Sequence, residues 1–141
     1  MPAVVTVDQP FDAGGLYTLR ATLAAHASQL GVPGQQIEAL LIVASELATN
    51  AIRHGGGTGR LRMWRHRTTL HCQVSDRGPG IADPGVGTTP PDPAGNGGGR
   101  GMWICRQLCD ELVITSAGQR GDAGTGPGAT VTAVINLDDP A

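Results

Sequence analysis

The sequence predicts a single α/β (α+β) domain, a two-layer sandwich with helices packed on one face of a mixed sheet. Three observations carry this. The periodicities run in the order β-α-α-β-β-loop-α-β-β. Each strand segment alternates to give one apolar face, while the helical segments carry an apolar arc. The apolar residues, 40% of the chain, are almost all aliphatic, since aromatics make up 3%.

Residues 3–7, Ala-Val-Val-Thr-Val, form a short β-branched run that Pro10 is expected to end. Leu16, Leu19, Leu23, Ala27 and Leu30 recur at helical spacing, and Gly31 stops that first helix. Pro33 suits the first turn of a second helix running to His54, ended by Gly55, Gly56 and Gly57. Two strands follow: at 60–65, Leu61 and Met63 alternate with arginines, and at 69–76, Leu70, Cys72 and Val74 share a face. Residues 77–99 hold eight Gly and five Pro and predict a long loop. A third helix is expected from about Gly101 to Asp110, then strands at 111–116 and 129–136 around a second Gly-rich loop at 117–128. No repeat or second domain is visible, so residues 1–141 read as one domain.

Composition narrows the function classes. Of 22 glycines, 18 fall within 55–59, 78–101 and 118–128. A Gly and Pro content close to the disordered range therefore coexists with nearly Gly-free helices and strands. Three cysteines, Cys72, Cys105 and Cys109, without paired spacing support neither a disulfide framework nor a zinc ribbon, and suggest a reduced, cytoplasmic setting. Cys72 and Cys105 read as core. His26, His66 and His71 lack metal-ligand spacing and are expected to face solvent, and Trp64 and Trp103 to lie at the surface or face a partner. No apolar run reaches membrane-spanning length. All ten basic residues are Arg, and the net charge of −2 argues against direct nucleic-acid binding. Arg60, Arg62, Arg65 and Arg67 read as the solvated side of a strand.

Three motifs could carry chemistry. On the second helix, Glu46, Asn50 and His54 lie at i, i+4 and i+8, a polar stripe beside the apolar arc. A carboxylate and a carboxamide oxygen one turn apart suit magnesium, a hard cation that prefers oxygen ligands; a solvated helix face would show the same pattern. Alternation places Asp76 on the helix-facing side of its strand, where its carboxylate needs a donor. A buried backbone amide or the exocyclic amine of an adenine would serve. Gly78 and Gly80, in Asp76-Arg-Gly-Pro-Gly, permit a sharp turn and a close ligand approach. Finally, Gly97, Gly98, Gly99, Arg100 and Gly101 run straight into the third helix. Free amides at a helix start favour phosphate, although a flexible linker before an ordinary helix has the same composition. With no lysine in the chain, a P-loop is excluded.

Taken in this order, the motifs resemble those of the GHKL superfamily of ATPases and kinases. Glu46-Leu-Ala-Thr-Asn50-Ala-Ile-Arg-His54 is similar to its N box, Asp76-Arg-Gly78-Pro-Gly80 to its first glycine box, and Gly99-Arg-Gly101-Met102 to its second. The likeness spans essentially the whole chain, and its compact form most resembles the anti-sigma serine/threonine kinases. It implies the Bergerat fold, a mixed, mainly antiparallel sheet with three helices on one face, and ATP with Mg2+ as ligands. By resemblance, Asn50 binds magnesium and Glu46 is the general base or orients the nucleophile. Asp76 reads the adenine amine, with Gly78, Gly80 and Ile81 beside it. Gly98, Gly99, Arg100, Gly101 and Met102 hold the nucleotide, His54 lies near the phosphates, and 77–99 form a lid.

The resemblance implies transfer of phosphate to an anti-anti-sigma (STAS-type) partner, control of a sigma factor, and a homodimer. Two other readings share the motifs: the catalytic domain of a sensor histidine kinase, and a non-catalytic, ATP-dependent partner switch. One departure stands out. Where many members carry Thr after the glycine opening the last strand, this chain has Ala129, with Thr130 pointing away and Ser75 as an alternative hydroxyl.

Overall fold

A computed structural model describes residues 5–54, 56–78, 100–116 and 128–137. Five strands, β1 (Val5–Asp12), β2 (Thr58–His66), β3 (Thr69–Asp76), β4 (Glu111–Ser116) and β5 (Ala129–Asn136), form one sheet in the order β1-β2-β3-β5-β4. Three helices, α1 (Leu16–Gln29), α2 (Gly34–His54) and α3 (Arg100–Leu108), accompany it, with a 3-10 turn at Ala13–Gly15 before α1. All four strand pairings are antiparallel, so the sheet is antiparallel rather than mixed.

The alternation read from the sequence sets the two faces. Leu61, Met63, Leu70, Cys72, Val74, Val131, Ala133 and Ile135 are buried together with Leu40, Val43, Ala44, Leu47, Ala48 and Ala51 of α2. Each large aliphatic side chain enclosed this way contributes about 1.5–3 kcal/mol relative to exposure, which explains how a core can form with few aromatics. Leu19, Leu23 and Ala27 bring α1 into the same cluster, as Met102 and Cys105 bring α3.

Pro10 does not end the first strand. β1 continues through it to Asp12, with Pro10 opposite Arg60. An edge strand tolerates the missing amide hydrogen, and β1 is an edge. Gly31, at φ +79°, ends α1 as expected.

Arg65 departs from the solvated row assigned to it. Its Nη1 donates to the Leu30 carbonyl at 2.6 Å and its Nε to the Arg67 carbonyl at 2.8 Å, which ties the end of α1 to the β2–β3 turn. Strand parity explains this: Arg65 falls with Leu61 and Met63, whereas Arg60 and Arg62 are on the other face, where both engage Asp8. His71 is half-buried rather than solvent-facing, because its ring stacks on Trp64 with centroids 5.0 Å apart. No helix among the described residues is long and apolar enough to cross a membrane.

Candidate functional site

Helix α2 lies across β2 and β3 and packs beside α3. Its apolar arc anchors it in the core, which leaves Glu46 and Asn50 half-buried on the flank facing α3. The first turn of α3 meets them there. A Cβ added to Gly101 would stand 3.2 Å from Glu46 Oε2 and 3.5 and 3.6 Å from Asn50 Nδ2 and Oδ1. The structure thus brings together two residues of the second-helix stripe and one of the Gly-rich entry to the third helix. One turn further along α3, Cys105 Sγ donates weakly to the Val43 carbonyl at 3.8 Å. Burial chiefly pushes the Cys105 thiol up, with Cys109 and Glu46 adding to the effect. Burial likewise pushes Cys72 up to about 12. Both thiols are core groups, as their sequence positions indicated.

The sheet contributes a second cluster at the end of β3. Asp76 is half-buried, and its Oδ1 accepts from the Gly78 amide at 2.9 Å. Burial raises its carboxyl above its ordinary value, opposed by hydrogen bonds from the Gly78 and Ala129 amides. The Gly128 amide donates to the Asp76 carbonyl. Gly128 lies so close to Gly78 that an added Cβ would overlap the Gly78 carbonyl oxygen. Asp76 therefore has backbone donors already, the structural partner foreseen from the sequence. A carboxylate has about four lone-pair sites, so two amide bonds leave capacity for a ligand amine.

The remaining residues divide. His54 is exposed at the last position of α2 and Arg100 is exposed at the first of α3, while Met102 is buried in the core. Gly80, Ile81, Gly98 and Gly99, and most of the 77–99 lid, lie outside the described residues. Ala129 is buried, and Thr130 points to the opposite face as expected. Ser75 pairs with Thr130 on that same face, so it does not replace a hydroxyl on the helix side. A depression of about 470 Å³ opens mainly on that outer face, between Arg60, Arg62, Gln73, Ser75 and Thr130, and touches Asp76 at its rim. It is separate from the Glu46–Asn50–Gly101 cluster.

The donor set at that cluster is one of hard oxygens, Glu46 Oε2 and Asn50 Oδ1, held beside a helix start. Those groups suit a magnesium ion that keeps most of its ligands as water and phosphate. Among the described residues, no three His, Cys, Asp or Glu side chains gather into an all-protein metal site.

An antiparallel sheet with helices on one side, a carboxylate–carboxamide pair at a helix start, and an Asp-Gly turn at a strand end together describe a nucleotide-binding α/β sandwich. Residues 10–133 match the histidine kinase-like ATPase domain, and the chain belongs to that family. Among solved structures, it is similar to the crystal structure of the RsbU and RsbW domains of Rv1364c from Mycobacterium tuberculosis. That match has a TM-score of 0.62 at 19% identity and covers 96% of this chain. The match spans 33% of that solved chain's length. No curated protein matches it.

Proposed function

We propose that the chain is an ATP-dependent protein serine/threonine kinase of the anti-sigma type. Its substrate would be an anti-anti-sigma (STAS-type) protein, and its regulatory target a sigma factor. The observation that carries this reading is the meeting of Glu46 and Asn50 with Gly101, which joins the second-helix stripe to the proposed phosphate cradle. Family membership supports ATP as the ligand, and the likeness to a chain containing an RsbW domain supports the choice within the family.

ATP supplies the transferable phosphoryl group, and Mg2+ offsets the charge on its oxygens. Asn50 would hold the magnesium ion through its carboxamide oxygen. Asp76 accepts the adenine amine with the lone pairs its two amide bonds leave free, and Gly101 and Arg100 border the phosphates. Glu46 takes the proton from the attacking hydroxyl of the acceptor Ser or Thr. Phosphoryl transfer needs little covalent chemistry from the protein, so positioning and one base suffice.

The test mixes purified protein, γ-labelled Mg-ATP and a candidate STAS protein. Label on a Ser or Thr of the partner is the expected result. An unlabelled partner, with ATP bound normally, removes the kinase assignment.

A further inference from the structure

We infer that Gly101 is a positioning residue, whose missing side chain sets where the Glu46 carboxylate stands beside the Asn50 carboxamide. The inference rests on the role proposed for that pair, and it starts from a conflict in α3. Gly101 is the second residue of this helix, yet it is absent from the glycines with positive φ, which are Gly31, Gly56 and Gly57 among the described residues. Its backbone therefore requires nothing that alanine could not provide, and glycine is the poorer helix former.

Space supplies the reason. A Cβ at 3.2 Å from Glu46 Oε2 is inside ordinary van der Waals contact, so the carboxylate would have to move by a few tenths of an ångström. Gly34, at the start of α2, offers the contrast, since a Cβ there meets nothing within 4 Å. Glu46 is half-buried beside this contact, and it is the carboxylate rather than the helix that must give. Below it, α3 is locked to α2 by buried Cys105, whose thiol contacts the Val43 carbonyl. A side chain at 101 would therefore displace the proposed base, while meeting the proposed magnesium ligand at ordinary contact distance. Small displacements of a group that takes a proton in flight are costly to rate.

The test is a cycle of Gly101→Ala and Glu46→Asp, with Gly34→Ala as the open-site control. It is read first in the nucleotide-free protein by thermal unfolding and by the side-chain NH2 resonances of Asn50. Gly34→Ala is expected to leave the melting temperature unchanged or raise it. Gly101→Ala is expected to lower it and to shift the Asn50 resonances. Glu46→Asp, which shortens the side chain by one methylene, is expected to move both back towards wild type. A rise in melting temperature for Gly101→Ala, or strictly additive effects, overturns the inference. If Gly101→Ala fails to fold, recovery of folding in the double variant supports the contact, and a double variant that stays unfolded contradicts it.

With Mg-ATP, Gly101→Ala is expected to lose about tenfold or more in transfer rate at saturating nucleotide. Lost affinity with unmoved Asn50 resonances and an unchanged rate at saturating nucleotide would leave Gly101 a phosphate contact alone and overturn the positioning role. A wild-type protein that binds no nucleotide would remove the proposed function, and the nucleotide-free cycle would still decide the seat of Glu46.

Discussion

The helix wall and the sheet wall of the site are built on different principles. On the helix wall, Glu46 and Asn50 are side-chain chemistry, held by the packing of α3 against α2 and by the absence of a side chain at Gly101. On the sheet wall, Asp76 is held by backbone: Gly78 and Ala129 amides on its carboxylate and the Gly128 amide on its carbonyl. The difference teaches where each wall is fragile. The sheet wall fails when its backbone is disturbed, and the helix wall when its spacing is.

The largest expected effect follows on the sheet side. Gly128→Ala places a Cβ into the Gly78 backbone, so it should cost about 3 kcal/mol or more, since neither strand end can yield without losing the amides on Asp76. Chemical denaturation checks this, and a loss below about 1 kcal/mol would mean the approach is soft. On the helix side, Glu46→Gln keeps size and should leave stability and ATP binding close to wild type. Phosphoryl transfer should fall by about 10²–10⁴-fold, the usual contribution of a general base. Unchanged transfer would strip Glu46 of that role and favour a switch without turnover.

Ala129→Thr sharpens the comparison further, because it adds a hydroxyl to a buried position opposite Asp76. A net hydrogen bond of about 1 kcal/mol would tighten ATP about fivefold, offset by some overpacking of the fold. Competition titration and thermal melts on the same protein separate the two effects.

The smallest effect is in the pH dependence. Burial raises the Asp76 carboxyl in the folded state, so the folded protein holds that proton more tightly than the unfolded chain. This stabilisation is fully present below the unfolded carboxylate value and is lost as pH rises through the raised folded value. Asp8 works the other way. Its carboxyl is lowered by Arg60, so its contribution is present above the unfolded value and is lost as pH falls through the folded one. Melts between acid and neutral pH should show Asp76→Asn removing the first slope and Asp8→Asn the second, with the exposed Asp8 pair giving the fainter signal.

Much of this architecture could be read before any coordinates. β3 and β5 begin and end where alternation placed them, at Thr69–Asp76 and Ala129–Asn136, because one buried face imposes strict period two. The stripe Glu46–Asn50 was visible for the related reason that it runs beside the core arc of Val43, Leu47 and Ala51 on α2. Pairing direction was not, since strand partners are chosen over long separations that no local pattern records. Pro10 misled because a proline is read as a stop unless the strand is known to be an edge. The meeting of Gly101 with Glu46 was hidden as well: periodicity assigns a residue to a face, and only the packing of α2 against α3 says what that face touches. The role of Arg65 was available in its parity with Leu61 and Met63, and grouping it by charge with Arg60 and Arg62 obscured it.

The most direct test of the whole account is a calorimetric titration of ATP into wild type and Asp76→Asn, with and without magnesium, alongside GTP. Wild type is expected to bind ATP, more tightly with magnesium, and to discriminate against GTP, which lacks the 6-amine proposed to meet Asp76. Asp76→Asn should weaken ATP by about tenfold or more, the cost of losing a charged hydrogen-bond acceptor in a half-buried site. Equal affinity of wild type and Asp76→Asn for ATP, or of wild type for ATP and GTP, would contradict it.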